Sequence, residues 1–382
     1  MTMATDPAAR APAGFRWLTG LAIFWALFLI WVGAAVTTEN VGMVVPDWPL
    51  SFGQINPEGW WQIMPVRLEH GHRWLGAIMG LIVLAMTAWL WLRERQPWWE
   101  LLLLVVAFAA IVDVLRRGHY GLGAGIGLTT LVWLVIGWLR RDWTPLLKLT
   151  LLALFAVVLQ SLKGGLRVVE VSNVMAIAHG WFAQAFFCLL LLIWLAAGRR
   201  WAAGLRPVLP DHGGGGLATG VRFGAMAVLV GTFLQLGLGA TMRHTHRYGL
   251  AADDILTTGG YWVPGPNQFD LFIMFLHKWW AVALLLLVWA FTAWSWRRAP
   301  VLRVFTGTLS LLIGAQLALG VGVLWFGKTF WITNFHVING LAILAVAFVL
   351  VVRIRHAGAA SHRVAVTPGV GESDWHGRTH TG

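Results

Sequence analysis

Four histidines stand inside long apolar runs: His72, His179, His277 and His336. Each lies roughly five to eight residues past the start of its run. Ionisable side chains are costly in such a setting and read by default as functional. If the four helices run the same way, all four imidazoles fall about 8–12 Å below one set of helix ends. Paired imidazoles from facing helices are a standard means of holding heme iron. Di-iron bundles want several glutamates and zinc sites a third or fourth protein ligand, and this setting is poor in carboxylates. Pairing His72 with His179 and His277 with His336 gives one heme per half of the chain. Gly71, Gly76, Gly180, Gly340 and Ala342 stand near the proposed ligands. Residues this small let a flat macrocycle approach the backbone.

One carboxylate accompanies them, in PVRLEHGHRW at 65–74. At about 100° per residue, Glu69, His72 and Arg73 share a helix face, while His70 points away. Three residues before His277 stands Met274, where the first half has Glu69. This asymmetry suggests that the first half does chemistry and the second holds a permanent heme that relays electrons. A structural ion pair between Glu69 and Arg73, at i and i+4, is the competing reading of the carboxylate. Arg73 pairs with Glu69 or with a heme propionate. His244 and His246, in RHTHRYG, are expected in a loop, solvated or touching propionates. His119, His362, His376 and His380 are expected to be inert.

The elements that must position these residues follow from composition. The chain has 382 residues, is 58% hydrophobic and carries only 12% charged residues. Blocks of about 20 apolar residues read as transmembrane helices. Ten spans are expected, at 15–36, 68–92, 98–116, 121–139, 146–163, 173–197, 220–241, 270–296, 301–326 and 330–354. The span at 98–116 is barely long enough and contains Asp113, so 98–139 could instead be re-entrant. The formal net charge is +12, but Arg and Lys cluster in short segments between the apolar blocks. That is topogenic charge and not a nucleic-acid surface, and its bias places both termini in the cytoplasm of an inner-membrane protein. Cys188 is the single cysteine, which excludes an intramolecular disulfide and cysteine-based metal motifs. The first apolar run reads as a retained helix, without a cleavage site after it.

Two long outer loops are expected, 37–67 and 242–269. The first is rich in Pro, Gly and Trp and suits a structured lid. GGGG at 213–216 marks a flexible linker, 204–219, between the halves. The halves are alike: LQSLKGGLRVV at 159–169 aligns with AQLALGVGVLW at 315–325, and VGAAVTTE at 32–39 with LGLGATMR at 236–243. Gln160 and Gln316 each precede a glycine by four residues, Gly164 and Gly320. The expected architecture is therefore an all-α polytopic membrane protein. Two pseudo-symmetric four-helix bundles, 15–203 and 220–356, carry an inserted helical pair at 98–139 in the first half. A cytoplasmic tail, 1–14, precedes them, and a polar, disordered tail, 357–382, follows.

At these residues the chain resembles the heme A synthase family of cytochrome oxidase assembly. The carriers are Glu69-x-x-His72-Arg73, GGLRV at 164–168, AHGWFAQ at 178–184, LHKWW at 276–280, TNFHVINGLA at 333–342 and NVGMVVPDWP at 40–49. The resemblance implies oxidation of the C8 methyl group of heme O, in two steps, to the aldehyde of heme A. It implies that His72 and His179 flank heme O or heme A, that His277 and His336 ligate a heme b cofactor, and that Glu69 is the catalytic carboxylate. Implied partners are a heme O synthase, oxidase assembly factors and membrane lipid; homo-oligomerisation is left open. Two features depart from the family. The first outer loop lacks a cysteine pair that many bacterial members carry, and segment 98–139 is extra, a peripheral hairpin or a docking surface. The main alternative is a di-heme b-type electron-transfer cytochrome without heme-modifying activity. A transporter or heme chaperone is the other.

Overall fold

The computed structural model describes residues 11–198, 216–245 and 255–365. Among them are ten long α-helices: α1 (Ala13–Thr38), α2 (Met64–Arg93), α3 (Trp98–Arg116), α4 (Tyr120–Arg140), α5 (Pro145–Val169), α6 (Asn173–Ala196), α7 (Gly216–Thr245), α8 (Phe269–Arg298), α9 (Arg303–Phe326) and α10 (Phe330–Ala365). All ten are long and apolar enough to cross a membrane. The chain is an integral, multi-pass, all-α membrane protein.

Local chemistry sets several helix ends. Pro65 and Pro145 stand in the first turns of α2 and α5, where a missing N–H costs nothing. Thr144 and Ser172 cap α5 and α6 by accepting from the amides of Leu147 and Met175, each at 3.2 Å. Gly327 ends α9 at φ 72°, in the left-handed region that glycine enters freely.

Each half closes into a ring of four helices. In the first, α1 packs on α2, α2 on α5, α5 on α6 and α6 on α1. In the second, the ring runs α7, α8, α9, α10 and back to α7. The two cores are separate. One surrounds Phe15, Met79, Trp91, Leu147 and Leu190, the other Val228, Val288, Leu309 and Ala347. The bundles meet where α1 and α6 lie against α10 and α7. There Trp181 donates to the carbonyl of Phe233 at 3.0 Å, and Trp31 packs on Phe335.

Segment 98–139 forms the expected peripheral hairpin, of two helices each long and apolar enough to cross a membrane. The α3 and α4 helices are 19 and 21 residues long, pack on each other and dock beside α2. Asp113 is accommodated at the end of α3 by Arg117 at 2.9 Å and Arg116 at 3.4 Å.

Four expectations are corrected. Helix α5 runs six residues past 163, so Lys163 and Arg167 lie on a helix and not in a loop. Helix α7 reaches Thr245, which puts His244 on its last turn; His246 lies outside the described residues. The expected linker loses 216–219 to α7, and the expected disordered tail loses 357–365 to α10. The rest of the linker and residues 366–382, with His376 and His380, lie outside the described residues. In each case an established helix extends because adding one residue costs far less than nucleation.

Candidate functional site

His72 and His179 project from α2 and α6, His277 and His336 from α8 and α10. Each pair comes from helices diagonally opposed in its ring, so the imidazoles meet across the bundle axis. The ring centroids are 6.4 Å apart in both pairs. Two imidazoles ligating one iron from opposite sides place their centroids roughly 6 Å apart, given metal–nitrogen bonds of about 2 Å. Both pairs therefore suit bis-histidine ligation. Among the described residues no three His, Cys, Asp or Glu side chains converge as a metal cluster.

A glycine on the neighbouring helix abuts each histidine. A Cβ would lie 2.9 Å from the His72 ring at Gly33, and 3.1 Å from those of His179 and His277 at Gly164 and Gly239. At Gly320 it would lie 3.3 Å from the His336 ring. These contacts make Gly33 the counterpart of Gly239, two residues off the alignment of VGAAVTTE with LGLGATMR. Side chains facing a common partner reveal the register better than weak letter similarity does.

Glutamines four residues before three of these glycines complete the pattern. Gln160, Gln235 and Gln316 donate to the backbone carbonyls of His179, His277 and His336. His179 Nδ1 in turn donates to the carbonyl of Gln160 at 3.0 Å, which leaves its Nε2 free as a ligand. Gln235 is the residue missed in the sequence. The Q-x-x-x-G spacing shared with Gln160 and Gln316 would have found it. The fourth position, before Gly33, is Leu29. Among the described residues, His72 Nδ1 is buried without a hydrogen-bond partner.

Glu69 is 4% exposed, one turn from His72. Its Oε1 accepts from Arg73 at 2.8 Å and its Oε2 from the amide of Val45, also at 2.8 Å. Arg73 further donates to the carbonyls of Val45, Asp47 and Leu50. The pair thus anchors loop 39–63 over the bundle. Asp47 tightens that loop by accepting from the amides of Phe52 and Gly53 at 2.7 Å. In the second half, Lys278 holds the carbonyl of Thr257 at 2.6 Å, and Met274, 1% exposed, fills the place of Glu69. His70 turns away, as its helical angle requires. It accepts from Trp74 at Nε2 and donates from Nδ1 to Ser51 Oγ at 2.8 Å.

All four histidines, Glu69 and Arg73 line one cavity of about 880 Å³. Arg167, Arg243 and His244 line it as well. His244 is therefore a cavity residue and not a solvated loop residue. The cavity thus holds two histidine pairs, a carboxylate beside only one of them, and three cationic or titratable side chains, Arg167, Arg243 and His244, in its wall.

Comparison with known proteins follows the same lines. A family model described as cytochrome oxidase assembly protein matches residues 118–348, a stretch holding His179, His277 and His336. A heme A synthase of Shouchella clausii is 24% identical over 335 residues, covering 85% of this chain and 91% of that protein. A heme A synthase of Sphingopyxis alaskensis is 29% identical over 194 residues, covering 46% of this chain and 49% of that protein.

Proposed function

This chain belongs to the heme A synthase family of cytochrome oxidase assembly proteins, and from that premise we propose that it oxidises the C8 methyl group of heme O to the formyl group of heme A. The observation carrying this reading is the asymmetry between two otherwise matched histidine pairs. A buried carboxylate stands beside His72 and His179, and a methionine beside His277 and His336.

In this reading His72 and His179 hold the substrate heme O, and His277 and His336 hold a heme b. When bound, that heme b supplies one-electron transfer. Gln235 and Gln316 orient the heme b ligands and keep them in place. Arg73 and the Val45 amide hold the carboxylate of Glu69 in place. A carboxylate has lone pairs beyond these two bonds. With them it takes a proton from, or stabilises positive charge near, the methyl carbon as it is oxidised. Loop 39–63, drawn down by Arg73, keeps bulk water from that step. Both termini are cytoplasmic in the inner membrane. A heme O synthase delivers the substrate, and oxidase assembly factors receive the product.

The test is the heme content of protein purified from cells that also express a heme O synthase. Heme O and heme A beside heme B are expected. Heme B alone in both sites would instead indicate a di-heme electron-transfer cytochrome.

A further inference from the structure

The hairpin α3–α4 is fastened to the first bundle at both ends and stands off between them. At one end Trp91 of α2 packs on Trp133 of α4, while Arg141 pairs with Glu100 within the hairpin itself. At the other, Tyr120 Oη donates to Glu170 at 3.0 Å. Between these fastenings the cavity that reaches His72 and His179 extends sideways. Leu104, Val105, Phe108 and Ile111 of α3 and Leu131 and Leu134 of α4 form its wall. Facing them are Leu81 and Leu84 of α2 and Leu154 and Phe155 of α5. Leu104 to Ile111 alone spans about 10 Å of helix. A closed packing of these faces would have left no such space.

We propose that this side pocket binds the isoprenoid tail of the substrate heme, so that the hairpin selects farnesylated hemes. The inference rests on the heme O reading above. Three observations support it: the pocket is continuous with the pair beside Glu69, its lining is aliphatic and aromatic, and among the described residues the second bundle has no such hairpin. A heme b carries no long tail and needs no comparable space. The tail is flexible and apolar, and burying it along this wall gives affinity in proportion to its area.

Two variants test the wall. At Gly127, on α4, an added Cβ would meet only Ile111 Cδ1, at 3.9 Å. Gly127→Leu therefore fills the pocket while improving helix propensity. Val105→Trp fills it from α3. Both proteins are purified from cells expressing a heme O synthase, and bound hemes and lipids are extracted and quantified. Heme O plus heme A per protein should fall about tenfold, with heme B in the second bundle unchanged as the internal measure of folding. Tail-less heme B added to protein stripped of heme O should fill the first site equally in variants and wild type. Heme O uptake equal to wild type in both variants would overturn the proposal alone. So would an equal loss of heme O and tail-less heme, which would make the hairpin a structural support. Phospholipid displaced from the variants without loss of heme O would assign the pocket to lipid acyl chains. A wild-type protein that takes up no heme O would overturn both this proposal and the function it rests on.

Discussion

At the residue scale, the two histidine pairs share one geometry and differ in what secures them. Three of the histidines have a glutamine donating to their backbone, and His72 has Leu29 at the corresponding place. A ligand without a second partner is less firmly oriented. That suits the proposed substrate site, whose occupant would leave once oxidised. Leu29→Gln should therefore retain heme A on the protein, lowering several-fold the fraction passed on to apo-oxidase in a transfer assay. Faster transfer from the variant would contradict this. Glu69 serves both the loop and the proposed chemistry. Glu69→Gln keeps its size and an oxygen for the Val45 amide, yet removes the charge. Heme A formation should drop about 10²- to 10⁴-fold with heme O still bound. A normal ratio of heme A to heme O in the extract would confine Glu69 to anchoring the loop.

At the element scale, the histidines act only because neighbouring helices come close enough to fix their rings. Gly239→Val and Gly320→Val place a Cβ about 3 Å from an imidazole and should expel heme B. Loss of the low-spin absorption of the reduced heme b, with the first site still filling, is the expected spectrum. Retention of full heme B would mean the rings can give way. The boundaries of α5 and α7 show what a hydropathy pattern leaves open. Lys163, Arg167, Arg243 and His244 look like loop residues because they are charged or polar, yet they continue helices. Arg243 is held inside by the carbonyl of Ala34 and Thr38 Oγ1, both at 3.0 Å and both on α1. Partners so distant along the chain cannot be read from a local window.

At the scale of the whole molecule, the described residues hold ten helices long and apolar enough to cross a membrane, an even number that would leave both termini on one side. The Arg and Lys distribution carries the proposal that this side is the cytoplasm. A fluorescent protein fused after Gly382 should be bright and an alkaline phosphatase fusion inactive; the reverse pattern would invert the topology. The amino-acid sequence by itself determined the class of protein, the ten apolar helices, and the four histidines and one carboxylate proposed for the site. Each of these rests on a local quantity: hydropathy over about 20 residues, or position along one helix. Tertiary structure decided the rest. It set the diagonal pairing, the register of the internal repeat and the role of Gln235 as a supporting partner. It also made Glu69 and Arg73 the anchor of loop 39–63 and turned the extra hairpin into a cavity wall. Those depend on which helix faces which, and packing across a bundle joins residues that no periodicity in the chain relates.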